Sequence, residues 1–279
     1  MKDLFDKVSL ECSKNVTNSY STSFSLATKM LSKNIRQDIY NIYGFVRLAD
    51  EIVDTFHDFD KKILLDRFID ELDYSLKNNI STNPILNSFQ FTVNKYKIDY
   101  ELIDAFLTSM KMDLKKVKYS TEKEYKDYIY GSADVVGLMC LKVFVGGNKE
   151  TYNRLKPSAM SLGSAFQKVN FLRDLNADYS LLNRTYFPNL DFNDFDDDAK
   201  MLIMNEIEED FRKALKGIYE LPNNSKFGVY AAYKYYKRLL KKLKKTSYLK
   251  IKNQRVRVPN YQKVDVLARS YVRYRLNIL

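Results

Sequence analysis

Apolar residues recur every three or four positions through most of the 279-residue chain, and no long stretch alternates apolar with polar. A period near 3.6 predicts helices, and the segments that carry it are Ser32 to Val53, Lys61 to Asn78, Tyr100 to Lys116, Glu122 to Val145, Thr151 to Asn176, Asp196 to Tyr219 and Lys226 to Lys245. Eight glycines and five prolines mostly punctuate these segments. The expectation is an all-α protein. No repeat and no Gly/Ser/Pro-rich linker divides it, so residues 1–279 read as one domain.

Two of these helices break the pattern in the same way. In the first, Ile39, Ile42, Phe45, Val46, Leu48 and Ile52 cover most sides, yet Tyr43, Arg47, Asp50 and Asp54 form one polar stripe. In the second, Leu162, Phe166, Val169 and Phe171 surround a stripe of Gly163, Gln167, Asn170, Asp174 and Asp178. A helix apolar on most sides is buried, and a buried polar stripe needs partners. Residues four apart project from one helix face about 6 Å apart along the axis, so each aspartate pair presents two carboxylates side by side. Two such helices face to face make a four-carboxylate pocket, which repels itself unless it holds cations. Oxygen donors suit Mg²⁺, or Mn²⁺ in its place, and Mg²⁺ characteristically bridges a few carboxylates to substrate phosphates. Asp50, Asp54, Asn170, Asp174 and Asp178 are the candidate ligands. Arg47 and Arg173 offer guanidinium forks that match phosphate oxygens.

Other features narrow the picture. Cys12 and Cys140 lie in no metal or redox motif, which fits a reducing, cytoplasmic setting. The lone His57 excludes sites needing several histidines and reads as a solvated loop residue. The N-terminus lacks a signal-peptide core, and VVGLMCLKVFVGG (135–147) is too short for a span and reads as a core helix. The acidic run DFNDFDDD (191–198) precedes a helix and reads as its cap. The net charge of +11 is local: residues 234–263 hold twelve Lys or Arg and no acid. That segment has three readings: a solvated helix face, a surface for anionic lipid or nucleic acid, or part of an anionic-substrate site. Tyr230, Tyr233, Tyr236, Leu240 and Leu243 fall near helical spacing and predict a core-facing stripe with the lysines outside. No nucleic-acid partner is expected.

The paired aspartates, SYSTSF (19–24), YIYGSADVVG (128–137), QKVNFLRDLNAD (167–178) and RTYFP (184–188) together resemble the squalene and phytoene synthase family, from about Ser19 to Lys263. The resemblance implies an isoprenoid synthase fold, a single helical bundle around a central cavity with the aspartates at its mouth. It further implies head-to-head condensation of two prenyl diphosphates through a cyclopropylcarbinyl diphosphate. On the same basis Ser21, Ser23, Tyr43, Tyr236, Arg255 and Lys263 approach the diphosphates, beside Arg47, Gln167, Asn170 and Arg173. Aromatic faces stabilise carbocations, and Tyr130 and Tyr236 are the candidates. Gly131 and Gly137 suggest a helix break or close approach beside the cavity, with Asp134 between them. Ala177 stands where relatives often have an acid, and Tyr20 and Thr22 where relatives can carry bases.

The stretches SKFGVYAAYKYYKRLLKKL and RVRVPNYQK resemble bacterial phytoene synthases. Thr28, just after SYSTSF, is small enough to leave room for a long tail. The favoured reaction joins two geranylgeranyl diphosphates to 15-cis-phytoene, a carotenoid precursor, without NADPH. Dehydrosqualene or squalene formation from farnesyl diphosphate is the alternative, and a basic helical adaptor for membrane or nucleic acid is the non-enzyme alternative. A greasy product and a basic segment also suggest peripheral contact with the inner face of a membrane.

Overall fold

The computed structural model describes all residues except 116–117, 183, 189–193 and 277–279, and the side chains of 181, 182 and 275 are likewise outside the description. The described residues contain thirteen α-helices and one π-helical turn. In chain order they are α1 (Lys2–Tyr20), α2 (Thr22–Lys29), α3 (Lys33–Asp54), α4 (Lys61–Asn78), α5 (Pro84–Tyr96), α6 (Tyr100–Asp113) and α7 (Glu122–Ile129). The π turn (Tyr130–Asp134) leads into α8 (Val135–Phe144), α9 (Lys149–Leu182), α10 (Asp197–Glu220), α11 (Asn223–Lys245), α12 (Tyr248–Asn253) and α13 (Asn260–Arg275). The sole β feature among the described residues is an isolated bridge between Lys118 and Thr185.

The core is built around α3. Phe45 is fully buried, stacked 4.0 Å from Phe89, with Phe68 and Phe106 also against it at 5.8 and 5.3 Å. Each such aromatic contributes roughly 1.5–3 kcal/mol by leaving water. On the other side of α3 the packing is polar and close. α1 buries Ser9, Ser13 and Thr17, one residue per turn, and a Cβ added at Gly44 would stand 2.8 Å from Ser13 Oγ. Small residues at both positions let the two backbones approach. Ser13 also shares a hydrogen bond of 2.6 Å with Ser88 on α5.

All seven predicted helices are present. Five differ by no more than three residues at either end, whereas α9 runs two residues further at its start and six at its end, with Pro157 inside it. The predicted helix Glu122 to Val145 is interrupted: Val135 N–H bonds to Tyr130 O, five residues back, and this closes the π turn. Gly131 and Gly137 are the close approaches expected of them. An added Cβ would lie 2.6 Å from Ala105 O and 3.1 Å from Ala159 O, respectively. Asp196 caps α10 by accepting from Ala199 N, with Asp197 and Asp198 in the first turn; Asp191 lies outside the described residues. Tyr230, Tyr233, Leu240 and Leu243 are buried along α11, with Lys241, Lys244 and Lys245 exposed, as the spacing predicts. His57 is exposed beyond the end of α3, 3.0 Å from Lys61 Nζ. Both cysteines are free, and burial pushes the Cys140 thiol up to about 12.

Candidate active site

α3 and α9 bring the two aspartate pairs together at one end of the bundle. Their mutual influence shows in their acidities. Asp178 is pushed up to about 7, first by burial and then by the charges of Asp174 and Asp54, which outweigh Arg184 and Arg173. Asp50 is raised by burial and by Asp54, against the pull of Arg47 and Arg184. Asp50 and Asp178 resist ionisation because each is buried and stands beside another carboxylate's charge.

Arginines partly balance this charge. Arg47 pairs with Asp50 at 2.6 Å and with Glu51, and its guanidinium lies 4.5 Å from the Tyr20 ring centre. Tyr20 therefore supplies an aromatic face that orients Arg47, in place of a base at that position. Arg173 forms a two-point pair with Asp174, and Arg255 reaches the same carboxylate at 2.8 Å. The sequence expectation that part of the basic C-terminal segment faces the site holds for Arg255. Lys263 lies at the edge, its ammonium 5.9 Å from the Tyr235 ring centre.

Below the aspartates opens a cavity of about 340 Å³. Its polar end carries Ser21, Ser23, Tyr43, Gln167, Asn170 and Arg173, and its walls are largely apolar. Tyr236 Oη donates to Asn170 Oδ1 at 3.3 Å, and its ring stacks 3.9 Å from Phe166. Phe24 stacks on Tyr43 across the mouth at 4.7 Å. Burial raises the Tyr236 phenol and pushes the Tyr43 phenol up to about 12, so both stay neutral and present ring faces and O–H groups. Gln167 Nε2 donates to Ser132 Oγ at 3.2 Å, tying α9 to the π turn across the wall. Thr28 is buried in the lining, as expected.

Tyr130 is a correction. It is 37% exposed and is not among the residues lining the cavity. The π turn is the reason: Gly131 packs on α6, Ser132 and Ala133 face the cavity, and Tyr130 is left outside. Tyr128, two residues earlier, is the tyrosine of this motif that turns inward.

Tyr128 belongs to a group that the sequence reading did not assign. Arg184, 4% exposed, donates to Asp54 at 3.1 Å, to the Asp113 backbone carbonyl at 3.1 Å and to Tyr186 Oη at 3.1 Å. Asp113 accepts from Tyr128 at 2.8 Å and pairs with Arg184 at 3.4 Å. Burial pushes Asp113 up to about 7, with Asp54 and Asp50 adding to it against Arg184. The ring of Tyr186 stacks 3.8 Å from Phe171 and 5.3 Å from Tyr128. The one available signal was RTYFP, a motif whose arginine carried no assigned role.

The donor set fits Mg²⁺. It is all oxygen, Asp50 and Asp178 are raised by burial and by a neighbouring carboxylate's charge, and among the described residues no three His, Cys, Asp or Glu converge closely enough to cage an ion alone. Mg²⁺ held by one or two carboxylates and completed by substrate phosphate and water has this requirement.

The helical fold that carries this acidic mouth and apolar cavity is shared with solved structures. The fold matches a crystal structure of a dehydrosqualene synthase with a TM-score of 0.84, 21% identity and coverage of 97% of this chain and 98% of that one. It matches a squalene synthase from Alicyclobacillus acidocaldarius with a TM-score of 0.75, 22% identity and coverage of 86% and 94%. The family model for squalene/phytoene synthase matches residues 17–262, and the chain belongs to that family of prenyltransferases. Among curated relatives, a phytoene synthase from Arthrospira platensis is 26% identical over 96% of this chain and 94% of its own length. A 4,4'-diapophytoene synthase from Staphylococcus haemolyticus is also 26% identical, over 70% of this chain and 66% of its own.

Proposed function

We propose that the chain, acting as one catalytic domain, joins two geranylgeranyl diphosphates head to head to give 15-cis-phytoene, releasing both diphosphates and two protons. The observation that carries this reading is the opposed pairs Asp50/Asp54 and Asp174/Asp178 at the mouth of an apolar cavity, with arginine forks already on their carboxylates.

Asp50, Asp54, Asp174 and Asp178, with Asn170, would hold Mg²⁺ or Mn²⁺, which supplies positive charge to bind the diphosphates and stabilise them as they leave. Arg47, Arg173 and Arg255 would exchange part of their carboxylate contacts for phosphate oxygens as substrate enters. Ser21, Ser23, Tyr43 and Lys263 complete the polar end, and Gln167 is held in place by Ser132. Departure of diphosphate leaves an allylic cation that the second double bond attacks, and loss of a first proton closes the ring to the cyclopropylcarbinyl diphosphate. A second ionisation, rearrangement and proton loss follow. The apolar wall excludes water from these cations, and the stacked pairs Phe166/Tyr236 and Phe24/Tyr43 offer ring faces without a strong nucleophile. No step consumes hydride, so NADPH is not required.

The Arthrospira relative, matched along nearly its whole length, supports the C40 product, as does the small Thr28 in the wall. A second reading, dehydrosqualene from two farnesyl diphosphates, is favoured by the similarity to a dehydrosqualene synthase and a diapophytoene synthase. Incubation with Mg²⁺ and each prenyl diphosphate, with and without NADPH, followed by mass analysis of the hydrocarbons, separates the two. A C40 hydrocarbon from geranylgeranyl diphosphate is expected. A C30 product alone would replace the first reading by the second, and no diphosphate release from either substrate would overturn both.

A further inference from the structure

α13 is apolar on two sides. Its inner side, with Val266, Leu267, Ser270 and Tyr274, packs along α11, where the Tyr274 ring lies 5.2 Å from Phe227. Its outer side carries Tyr261, Val264, Ala268 and Val272 at helical spacing, all exposed, Tyr261 and Val264 at 72% and 59%, and Tyr271, itself half-exposed, stands at the border with its ring 5.6 Å from Phe227. A helix that is apolar all round normally has partners all round. Here the bundle covers only one of the two sides.

The charge around this outer strip is of one sign. Arg257, Arg269 and Arg273 are exposed beside it, as is Lys250 on α12 next to the exposed Leu249. From residue 234 to 276 the only acid is Asp265, which pairs with Arg269 at 2.7 Å. The cations also press on one another: Lys234 is lowered by burial and then by Arg273, and Lys263 by burial and then by Arg257. A helix with an apolar strip, aromatic residues at both ends of it and an uncompensated basic flank is suited to lying in the interface of an anionic bilayer. The position is also relevant. α13 begins beside the cavity, where Lys263 lies over the Tyr235 ring of the lining.

We propose that the outer face of α13 docks on an anionic lipid bilayer, with Tyr261, Val264 and Val272 in the interface, Tyr271 at its border, and Arg257, Arg269 and Arg273 at the headgroup phosphates. This brings the cavity mouth to the surface from which a substrate with a long apolar tail is drawn and to which a hydrocarbon product is returned. That last consequence rests on the proposed function, whereas the docking itself does not.

Flotation of the full chain with liposomes containing phosphatidylglycerol, against liposomes of phosphatidylcholine alone, tests the proposal. Binding is expected to the anionic liposomes at low salt, to weaken steeply toward 0.5 M salt, and to fall at least about tenfold in Val264→Asp/Val272→Asp, with unchanged helicity and unchanged turnover of substrate presented in detergent. Equal flotation of the double variant, or none of the wild type at low salt, would overturn it. So would a concentration-dependent dimer abolished by the same substitutions, or retention of the face by an RNA oligonucleotide that excludes liposomes. A chain that floats but turns over neither prenyl diphosphate would refute the proposed function and leave the docking standing.

Discussion

The two halves of the acidic mouth are alike in sequence and unlike in support. On α3, Asp54 is held from below by Arg184, which is buried and bonded on several sides. On α9, Asp174 is held from above by Arg173 and by Arg255, and Arg255 is exposed on the segment after α12. A buried arginine cannot leave its carboxylate without leaving a charge unpaired, whereas an exposed one can be exchanged for substrate at small cost. The support of Asp54 is thus a fixed floor, whereas the Arg255 contact on Asp174 is replaceable by what binds there.

Predictions follow the size of this contrast. The largest effect removes the common element: Asp50→Asn or Asp174→Asn should lower kcat by roughly 100-fold or more while leaving helicity and Tm near wild type. A fully active variant would take that aspartate out of the site. Next, Arg184→Met should cost roughly 3–5 kcal/mol, read as a fall in Tm of about ten degrees, because it leaves Asp54 and Asp113 facing each other. Arg184→Met/Asp113→Asn should recover part of that loss. An unchanged Tm in the single variant would show that the floor is not structural. Arg255→Ala, the corresponding change at the rim, should move stability by less than about 1 kcal/mol and raise KM roughly tenfold with kcat little changed. Equal losses of stability at Arg184 and Arg255 would erase the contrast.

The smallest effect concerns pH. Asp178 is raised from 3.8 to about 7, so the folded metal-free protein binds its proton more tightly than the unfolded chain does. Its contribution is therefore lost as pH rises from about 4 through 7, and ionised Asp178 is a cost above that range. Asp178→Asn should stabilise the metal-free protein by roughly 1–2 kcal/mol at pH 8, after discounting for solvent screening, and by much less near pH 4.5. Urea unfolding with a chelator at the two pH values reads this directly, and a variant less stable than wild type at pH 8 would contradict the sign.

What the sequence revealed and what it hid divide along physical lines. Helices with large apolar residues on one face, such as α3 and α11, were readable because burial leaves a 3.6-residue period. α1 was not, because its buried face is Ser9, Ser13 and Thr17, chosen for size and not for hydrophobicity. α5 was also not among the helices read from the sequence; it opens on Asn83, whose side chain caps it, and Pro84, and runs for only thirteen residues. In the site, Asp50, Asp54, Asp174 and Asp178 were legible from spacing within a helix. Arg184 and Asp113 were not, because they meet only through the loop that follows α9. Tyr130 was misplaced for one local reason: a turn with an extra residue resets which way each later side chain points.

That turn has a meaning for anyone who would redesign the wall. It works as a phase adjuster between two stretches of helix, keeping Tyr128 on Asp113 while Ser132 meets Gln167. Deleting one residue between Tyr130 and Asp134 would restore an ordinary α-helix and rotate everything upstream by about 100° relative to everything downstream. Substrate-pocket libraries in this protein should therefore vary side chains on either side of the turn and keep its length constant.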